Sequence, residues 1–309
     1  MKIYLIAAFA MLVWNAAANA ADRAEQDGTT PDDTYLFAKR DTCDLFMDIY
    51  NPADGKDTLS GGQKKPTIVF AFGGSFMTGS RDAENYRPWF RAMADNGYRI
   101  VSIDYRLGMK GYDKIGLFQV NALDRAIHMA VEDMVSATVF LLDNAESLGI
   151  DPEGIVISGS SAGAITALQT DYEICNRTEW SAPLPDGFRY AGVISFAGAI
   201  LSRNGKLKYD VEPAPTLMFH GTEDSVVPYS QIKFFRLGFF GSSKIAEQFK
   251  KYGYVYNIFR EKGHDHEVAV AMYETIVEQL VFLENNISGG SRYCIDATVE
   301  NPQIPFPEN

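Results

Sequence analysis

Six short runs along the chain are apolar at nearly every position and rich in Ile and Val: Thr67–Phe72, Arg99–Asp104, Gly154–Ser158, Ala191–Ser195, Thr216–His220 and Val255–Arg260. A strand buried on both faces requires that composition, whereas a half-exposed strand alternates apolar with polar. Between the runs the apolar period lengthens. Asn121–Leu148 and Glu267–Leu283 carry Ala, Met, Val and Leu at three-and-four spacing, which predicts helices long enough to cross over between parallel strands. The order strand, helix, strand then gives one α/β domain with a mostly parallel central sheet and helices on both faces. Upstream, Tyr35–Ala38 and Asp44–Tyr50 flank Arg40-Asp41-Thr42 and predict an opening antiparallel hairpin, followed by a Gly/Lys-rich loop, Asp54–Lys65. Gly79–Asn96, Gly108–Leu123, Tyr172–Arg189 and Leu201–Pro215 read as loops rich in aromatic and small polar residues, and loops at the carboxyl ends of parallel strands commonly bind substrate. The last stretch, Ser288–Asn309, has Pro, Gly and no periodicity, so a surface tail is expected there.

The amino terminus follows a different rule. Lys2 precedes twelve uncharged residues, Ile3–Trp14, and Ala18-Asn19-Ala20 is a small-x-small site, the pattern of a secretory signal peptide over residues 1–20. A membrane anchor needs about 20 apolar residues. This run is shorter and is broken by Asn15 and Asn19. The expected organisation is therefore a signal peptide (1–20), a polar leader (21–33), the α/β domain (34–287) and a tail (288–309), in a secreted or periplasmic protein without a membrane span. Export permits a disulfide, but Cys43, Cys175 and Cys294 allow at most one bridge and show no metal or redox spacing. Across 309 residues, 28 Lys+Arg against 40 Asp+Glu give a formal charge of −12. Tracking a phosphate backbone needs many cations, so nucleic acid and anionic lipid are disfavoured as partners.

Candidate chemistry centres on Gly159-Ser160-Ser161-Ala162-Gly163, between the Gly154–Ser158 strand and a helix expected over Ala164–Thr170. A serine in G-x-S-x-G at such a turn sits on a tight elbow with its hydroxyl held above the sheet. Ser161 is then the candidate nucleophile, and the Ala162 N–H at the helix start is a candidate oxyanion donor. The pattern arises by chance in many chains, so an acid, a base and further donors are required beside it. Phe72-Gly73-Gly74-Ser75-Phe76 ends the first parallel strand and could aim the Gly74 and Ser75 amides at the same space. His220-Gly221-Thr222-Glu223-Asp224 ends a later strand, and Asp224 is the candidate acid, with Glu223 expected in solvent. Gly263-His264-Asp265-His266 follows the last strand and offers two histidines as base. Nucleophile, acid and base thus occur in the order Ser, Asp, His.

Residues from about Leu45 to Leu283 resemble the α/β-hydrolase superfamily. Phe-Gly-Gly-Ser-Phe, Asp104-Tyr105-Arg106-Leu107, Gly-Ser-Ser-Ala-Gly, His-Gly-Thr-Glu-Asp and the late Gly-His-Asp-His are together similar to its carboxylesterase/lipase branch. The resemblance implies hydrolysis of carboxylic esters by a Ser-His-Asp triad through an acyl-enzyme, with no metal or organic cofactor. Related proteins commonly show Gly-x-x-His before a helix, which assigns the base to His266 rather than His264. His128 and His220 read as structural, and Asp104-Tyr105-Arg106 as scaffold. A peptidase of the prolyl-oligopeptidase type would carry a large extra β domain for which this chain has no room. A non-catalytic hydrolase-like binding protein would normally lack a triad member. Acyl, feruloyl or acetyl esters of polysaccharides and small lipids are all compatible with the motifs, and the motifs are silent on oligomeric state.

Overall fold

The computed structural model describes residues 30–53, 55–59, 62–112 and 119–306. The expected signal peptide and most of the leader lie outside them. In chain order the main elements are β1 (Asp33–Lys39), β2 (Asp44–Tyr50), β3 (Thr67–Ala71), α1 (Arg87–Asp95), β4 (Arg99–Ile103), α2 (Val120–Asp143), β5 (Ile155–Ser160) and α3 (Ala162–Cys175). They continue with β6 (Gly192–Phe196), β7 (Ala199–Ser202), β8 (Thr216–Gly221), β9 (Gln231–Phe234), β10 (Leu237–Gly241), α4 (Ser242–Tyr252), β11 (Tyr256–Glu261), α5 (Ile276–Phe282) and β12 (Ile295–Val299).

Among the described residues, nine strands form the main sheet in the order β1-β2-β4-β3-β5-β6-β8-β11-β12. The β1-β2 hairpin is antiparallel, and β2 meets β4 antiparallel; from β4 to β12 every pair is parallel. The continuous apolar runs of the sequence become strands with no exposed face, β3 and β6 being buried at every residue. Aromatic rings tie the layers together. Phe70 on β3 packs against Tyr86, Trp89 and Phe90 at centroid distances of 4.9, 5.2 and 5.3 Å. Phe196, Phe219 and Phe259, in register on β6, β8 and β11, stack at 5.1 and 5.4 Å beneath the strand ends.

The Asp104-Tyr105-Arg106 motif is scaffold, as expected. Asp133, fully buried on α2, accepts hydrogen bonds from Arg40 Nε at 3.0 Å, from Arg106 Nε at 2.9 Å and from the Arg106 amide at 2.8 Å. Removing either cation would leave a buried carboxylate under-paired, a loss that costs several kcal/mol. Tyr105 stacks on Phe72 at 4.4 Å and donates its hydroxyl proton to the Phe72 carbonyl at 2.8 Å.

Four regions differ from the expectation. The stretch 79–96, expected as a loop, contains α1, which starts with Pro88 in its first turn and buries Trp89, Phe90 and Met93. A separate three-stranded sheet, β7-β10-β9, stands beside the main one. The helix expected over Glu267–Leu283 is broken into a 3-10 turn, His266–Val270, and α5. Finally, Ser288–Asn309 is not merely a tail: β12 pairs parallel with β11 and closes the sheet edge. All three cysteines are free thiols, with Cys175 buried and the other two exposed.

Candidate active site

The carboxyl ends of β5, β8 and β11 carry Ser161, Asp224 and His266. Ser161 directly follows β5 with φ +50° and ψ −113°, a conformation a non-glycine residue adopts only at a cost of about 1–3 kcal/mol. Its amide donates to the Phe196 carbonyl and its carbonyl accepts from the Ile165 amide, both at 2.9 Å, which holds the elbow in place. The flanking glycines are required by contact. A Cβ on Gly163 would lie 2.0 Å from the Ala71 carbonyl oxygen, and one on Gly159 would lie 2.2 Å from the Gly163 carbonyl carbon.

Ser161 Oγ lies 2.8 Å from His266 Nε2, and His266 Nδ1 lies 2.8 Å from Asp224 Oδ2. Since the carboxylate can only accept, Nδ1 carries the proton of the neutral ring and Nε2 faces the serine hydroxyl as an acceptor. The other carboxylate oxygen, Oδ1, accepts the Val226 and Val227 amides at 2.9 and 2.8 Å. Asp224 also faces a second imidazole: His220 Nε2 stands 3.3 Å from Oδ2 and 3.1 Å from the Val227 carbonyl. Two acceptors at Nε2 place the His220 proton there, leaving Nδ1 to accept from Ser242 Oγ at 2.8 Å. Burial pushes the Asp224 carboxyl upward, yet hydrogen bonds from His220 and His266 outweigh that and hold it well below the usual carboxylate range.

The loops bearing acid and base are laced together. The Glu223 amide donates to the His264 carbonyl at 3.0 Å, and the Ser225 amide to the Asp265 carboxylate at 2.6 Å. Glu223 itself is exposed. His264 does not stand between Ser161 and Asp224. It is 1% exposed, bonds Glu267 through Nδ1 at 2.7 Å and stacks on Phe306 at 4.0 Å. His128 likewise serves packing, with its ring stacked on Trp180 at 4.7 Å and its Nδ1 against the Asp124 carbonyl at 2.8 Å.

The turn after β3 holds Gly74, Ser75 and Phe76 at φ +130°, +56° and +59°. Gly74 is obligatory, because a Cβ there would lie 2.2 Å from the Thr78 carbonyl oxygen. The amides of Gly74, Ser75 and Ala162 make no hydrogen bond among the described residues. Ser75 and Ala162 line one cavity with Ser161, and Gly74 is not among its lining residues. That cavity holds about 590 Å³. Among the described residues its wall contains no charged side chain; Ser75, Ser161 and Ser225 are the polar members, and Ile165, Leu201, Phe234 and Phe239 are among the apolar ones.

Three contributors were absent from the sequence expectations. Ser160 donates to the Ala269 carbonyl at 2.7 Å, fastening the histidine segment to the elbow. Tyr86 accepts the Gly73 amide at 3.0 Å beside the turn. His220 supplies the second contact to the acid, and its i, i+4 spacing from Asp224 was the signal available.

Residues 47–178 match the BD-FAE family model. Carboxylesterase 5A of Ovis aries is 34% identical over 125 residues, which is 40% of this chain and 29% of that protein. Neuroligin-like protein glit-1 of Caenorhabditis elegans is 29% identical over 155 residues, 50% of this chain and 19% of that protein. The matched region thus spans less than a third of either relative. Structural similarity is broader. Esterase 2 of the planctomycete Thermogutta terrifontis, solved with propionate bound, superposes with a TM-score of 0.61 at 25% identity and covers 84% of this chain and 96% of that one. With the strand order, the elbow turn and these likenesses in agreement, the chain belongs to the α/β-hydrolase superfamily and is carboxylesterase-like.

Proposed function

We propose that this chain is an exported serine carboxylesterase, cleaving carboxylic esters through an acyl-enzyme on Ser161. The observation that carries this reading is the unbroken hydrogen-bonded line from Asp224 through His266 to Ser161 at the wall of an apolar cavity. In the first step Ser161 Oγ attacks the ester carbonyl carbon while His266 Nε2 takes the hydroxyl proton, and the Asp224 carboxylate stabilises the imidazolium. Negative charge on the former carbonyl oxygen is met by the free amides of Ala162 and Ser75, with Gly74 shaping the turn and offering its own amide. As the tetrahedral species collapses, the C–O bond breaks and the alkoxide leaves with the proton from His266. Water then repeats the sequence on the acyl-enzyme, releasing the carboxylic acid and regenerating Ser161.

The cavity supports an apolar group on the ester. With three serine hydroxyls as the polar side chains among the described residues of the wall, the lining would leave most hydroxyls of a buried sugar unpaired, at about 1–3 kcal/mol each. Small lipid-like esters therefore fit the lining better than acylated polysaccharides. The propionate held by the Thermogutta terrifontis esterase is consistent with a short carboxylate as the released acid.

Steady-state hydrolysis of nitrophenyl esters tests the reading. Wild type should turn them over, and Ser161→Ala should lose at least about 10⁴-fold in kcat. A variant as active as wild type would overturn it. Export is tested separately by sequencing the amino terminus of the protein recovered outside the cytoplasm, which should begin near Ala21.

A further inference from the structure

The segments that build the small sheet break the charge rule of the rest of the chain. Residues 199–209 and 226–241 carry Arg203, Lys206, Lys208, Lys233 and Arg236 and no Asp or Glu, although the whole sequence has 40 acids against 28 Lys+Arg. Arg203 is paired with Asp124 at 2.7 Å and Lys208 with Asp210 at 2.6 Å. Lys206, Lys233 and Arg236 are exposed and make no ion pair among the described residues. The two segments meet: a Cβ on Gly205 would lie 3.3 Å from Arg236 Cα.

The hairpin tip between these cations is aromatic. Phe234 pairs with Leu237, leaving Phe235-Arg236 as a two-residue turn. Such turns favour glycine or asparagine, because a central residue must take a positive φ. Here Phe235 holds φ +52° with its side chain 84% exposed. A bulky residue in the left-handed region, with its ring in water, opposes local preference twice. Departures of that kind cluster at functional positions. Beside it Phe234, Ile232 and Val226 are 66%, 61% and 57% exposed, and these same three residues also line the cavity that holds Ser161. Apolar surface therefore runs without a break from the hairpin tip into the candidate active site.

We propose that the β9-β10 hairpin seats the cavity mouth on an anionic lipid surface. Phe234 and Phe235 enter the acyl boundary, and Lys206, Lys233 and Arg236 meet the headgroup anions, the combination by which peripheral segments adsorb to membranes. The formal charge of −12 makes the net long-range force on an anionic surface repulsive, so attraction must come from these local cations. Screening within about 8 Å at physiological salt lets the local cations outweigh the distant acids. The summed charge, which disfavours anionic lipid, does not register a patch of this size. Delivery of a lipid-borne ester to Ser161 rests on the esterase reading; the docking itself does not.

Co-sedimentation of the full chain with vesicles tests the docking. Binding should be clear on phosphatidylcholine/phosphatidylglycerol vesicles at about two to one and much weaker on phosphatidylcholine alone, and should fall as salt rises. Phe235→Ser should weaken it at least about tenfold, and Lys233→Gln with Arg236→Gln by roughly 25-fold at physiological salt, about fivefold per cation. Neither Phe235 nor the two cations line the cavity, so hydrolysis of dissolved nitrophenyl acetate should stay within about twofold of wild type, which also reports that the variants fold. Equal binding to neutral and anionic vesicles, no binding to either, or variants that bind like wild type would each overturn the proposal. So would a concentration-dependent dimer abolished by Phe235→Ser in a chain that ignores vesicles, because the tip would then be a self-contact. Failure of ester hydrolysis with vesicle binding intact would count against the esterase reading and leave the docking standing.

Discussion

Replacing Asp224 by asparagine changes one atom at the heart of the site, and the surrounding donors dictate how the new side chain must sit. The Val226 and Val227 amides both point at Oδ1, at 2.9 and 2.8 Å, so an asparagine must keep its carbonyl oxygen there. Its NH₂ group then occupies the Oδ2 position, 2.8 Å from His266 Nδ1. A donor at that place forces Nδ1 to become the acceptor and moves the ring proton to Nε2, which faces Ser161 Oγ at 2.8 Å. The serine hydroxyl then has no base to take its proton. Wrong-tautomer substitutions of this type cost about 10⁴ in kcat, or about 5.5 kcal/mol of barrier. Asparagine fills the same volume, so the fold should survive with unchanged near-UV circular dichroism. Steady-state kinetics on nitrophenyl acetate, normalised to folded protein, provide the assay. Activity of Asp224→Asn within tenfold of wild type would refute the reasoning, because it would mean that the Nδ1 proton of His266 does not set the reactivity of Ser161.

His266→Ala should be nearly as inactive as a nucleophile knockout, whereas His264→Ala should lose about tenfold at most, through the packing it shares with Glu267 and Phe306; kinetics of the two variants side by side check this. Gly163→Ala places a Cβ 2.0 Å from the Ala71 carbonyl oxygen, and at least about 3 kcal/mol of stability should be lost, read as a fall in Tm of about 6–12 °C. Glu261 is 1% exposed at the end of β11, and burial, with the Glu278 carboxylate nearby, pushes its carboxyl up to about 7. A raised carboxyl contributes full stability below its unfolded value and loses it as pH rises through the folded one. Glu261→Gln should therefore stabilise the fold near pH 8 by about 2 kcal/mol and change it little below about pH 5, as denaturant titrations at the two pH values would show.

The elements that the sequence disclosed are those whose side chains are buried on both faces. Strands β3 to β6 and β8 leave an unmistakable apolar run, and the glycines at 159 and 163 are visible because backbone contact forbids any side chain there. Chain order then put the acid and base candidates after β8 and β11, where the structure brings Asp224 and His266 within 2.8 Å of each other. What escaped notice obeys other rules. β9 is exposed at all four residues, so its apolar side chains serve no core and give no alternation that marks a sheet face. β12 has no fully buried residue and is held by the backbone ladder to β11, which composition does not report. The break between the 3-10 turn and α5 turns the histidine segment back onto the elbow, where Ser160 bonds the Ala269 carbonyl; hydrophobic period continues across it and hides it. His220 reads as structural because it belongs to the motif that carries the acid, and only distance reveals that it faces the same carboxylate oxygen as His266.

The central claim is that Ser161 is a nucleophile activated by His266, and covalent capture tests it most directly. A fluorophosphonate or organophosphate incubated with the folded chain should add one phosphonyl or phosphoryl group, with mass spectrometry locating it on the peptide that contains Gly159-Ser160-Ser161-Ala162-Gly163. The same treatment should leave His266→Ala and Asp224→Asn almost unlabelled. Rapid labelling confined to Ser161 in wild type is the result predicted; labelling at another residue, or equal labelling of Ser161 in all three proteins, would contradict it.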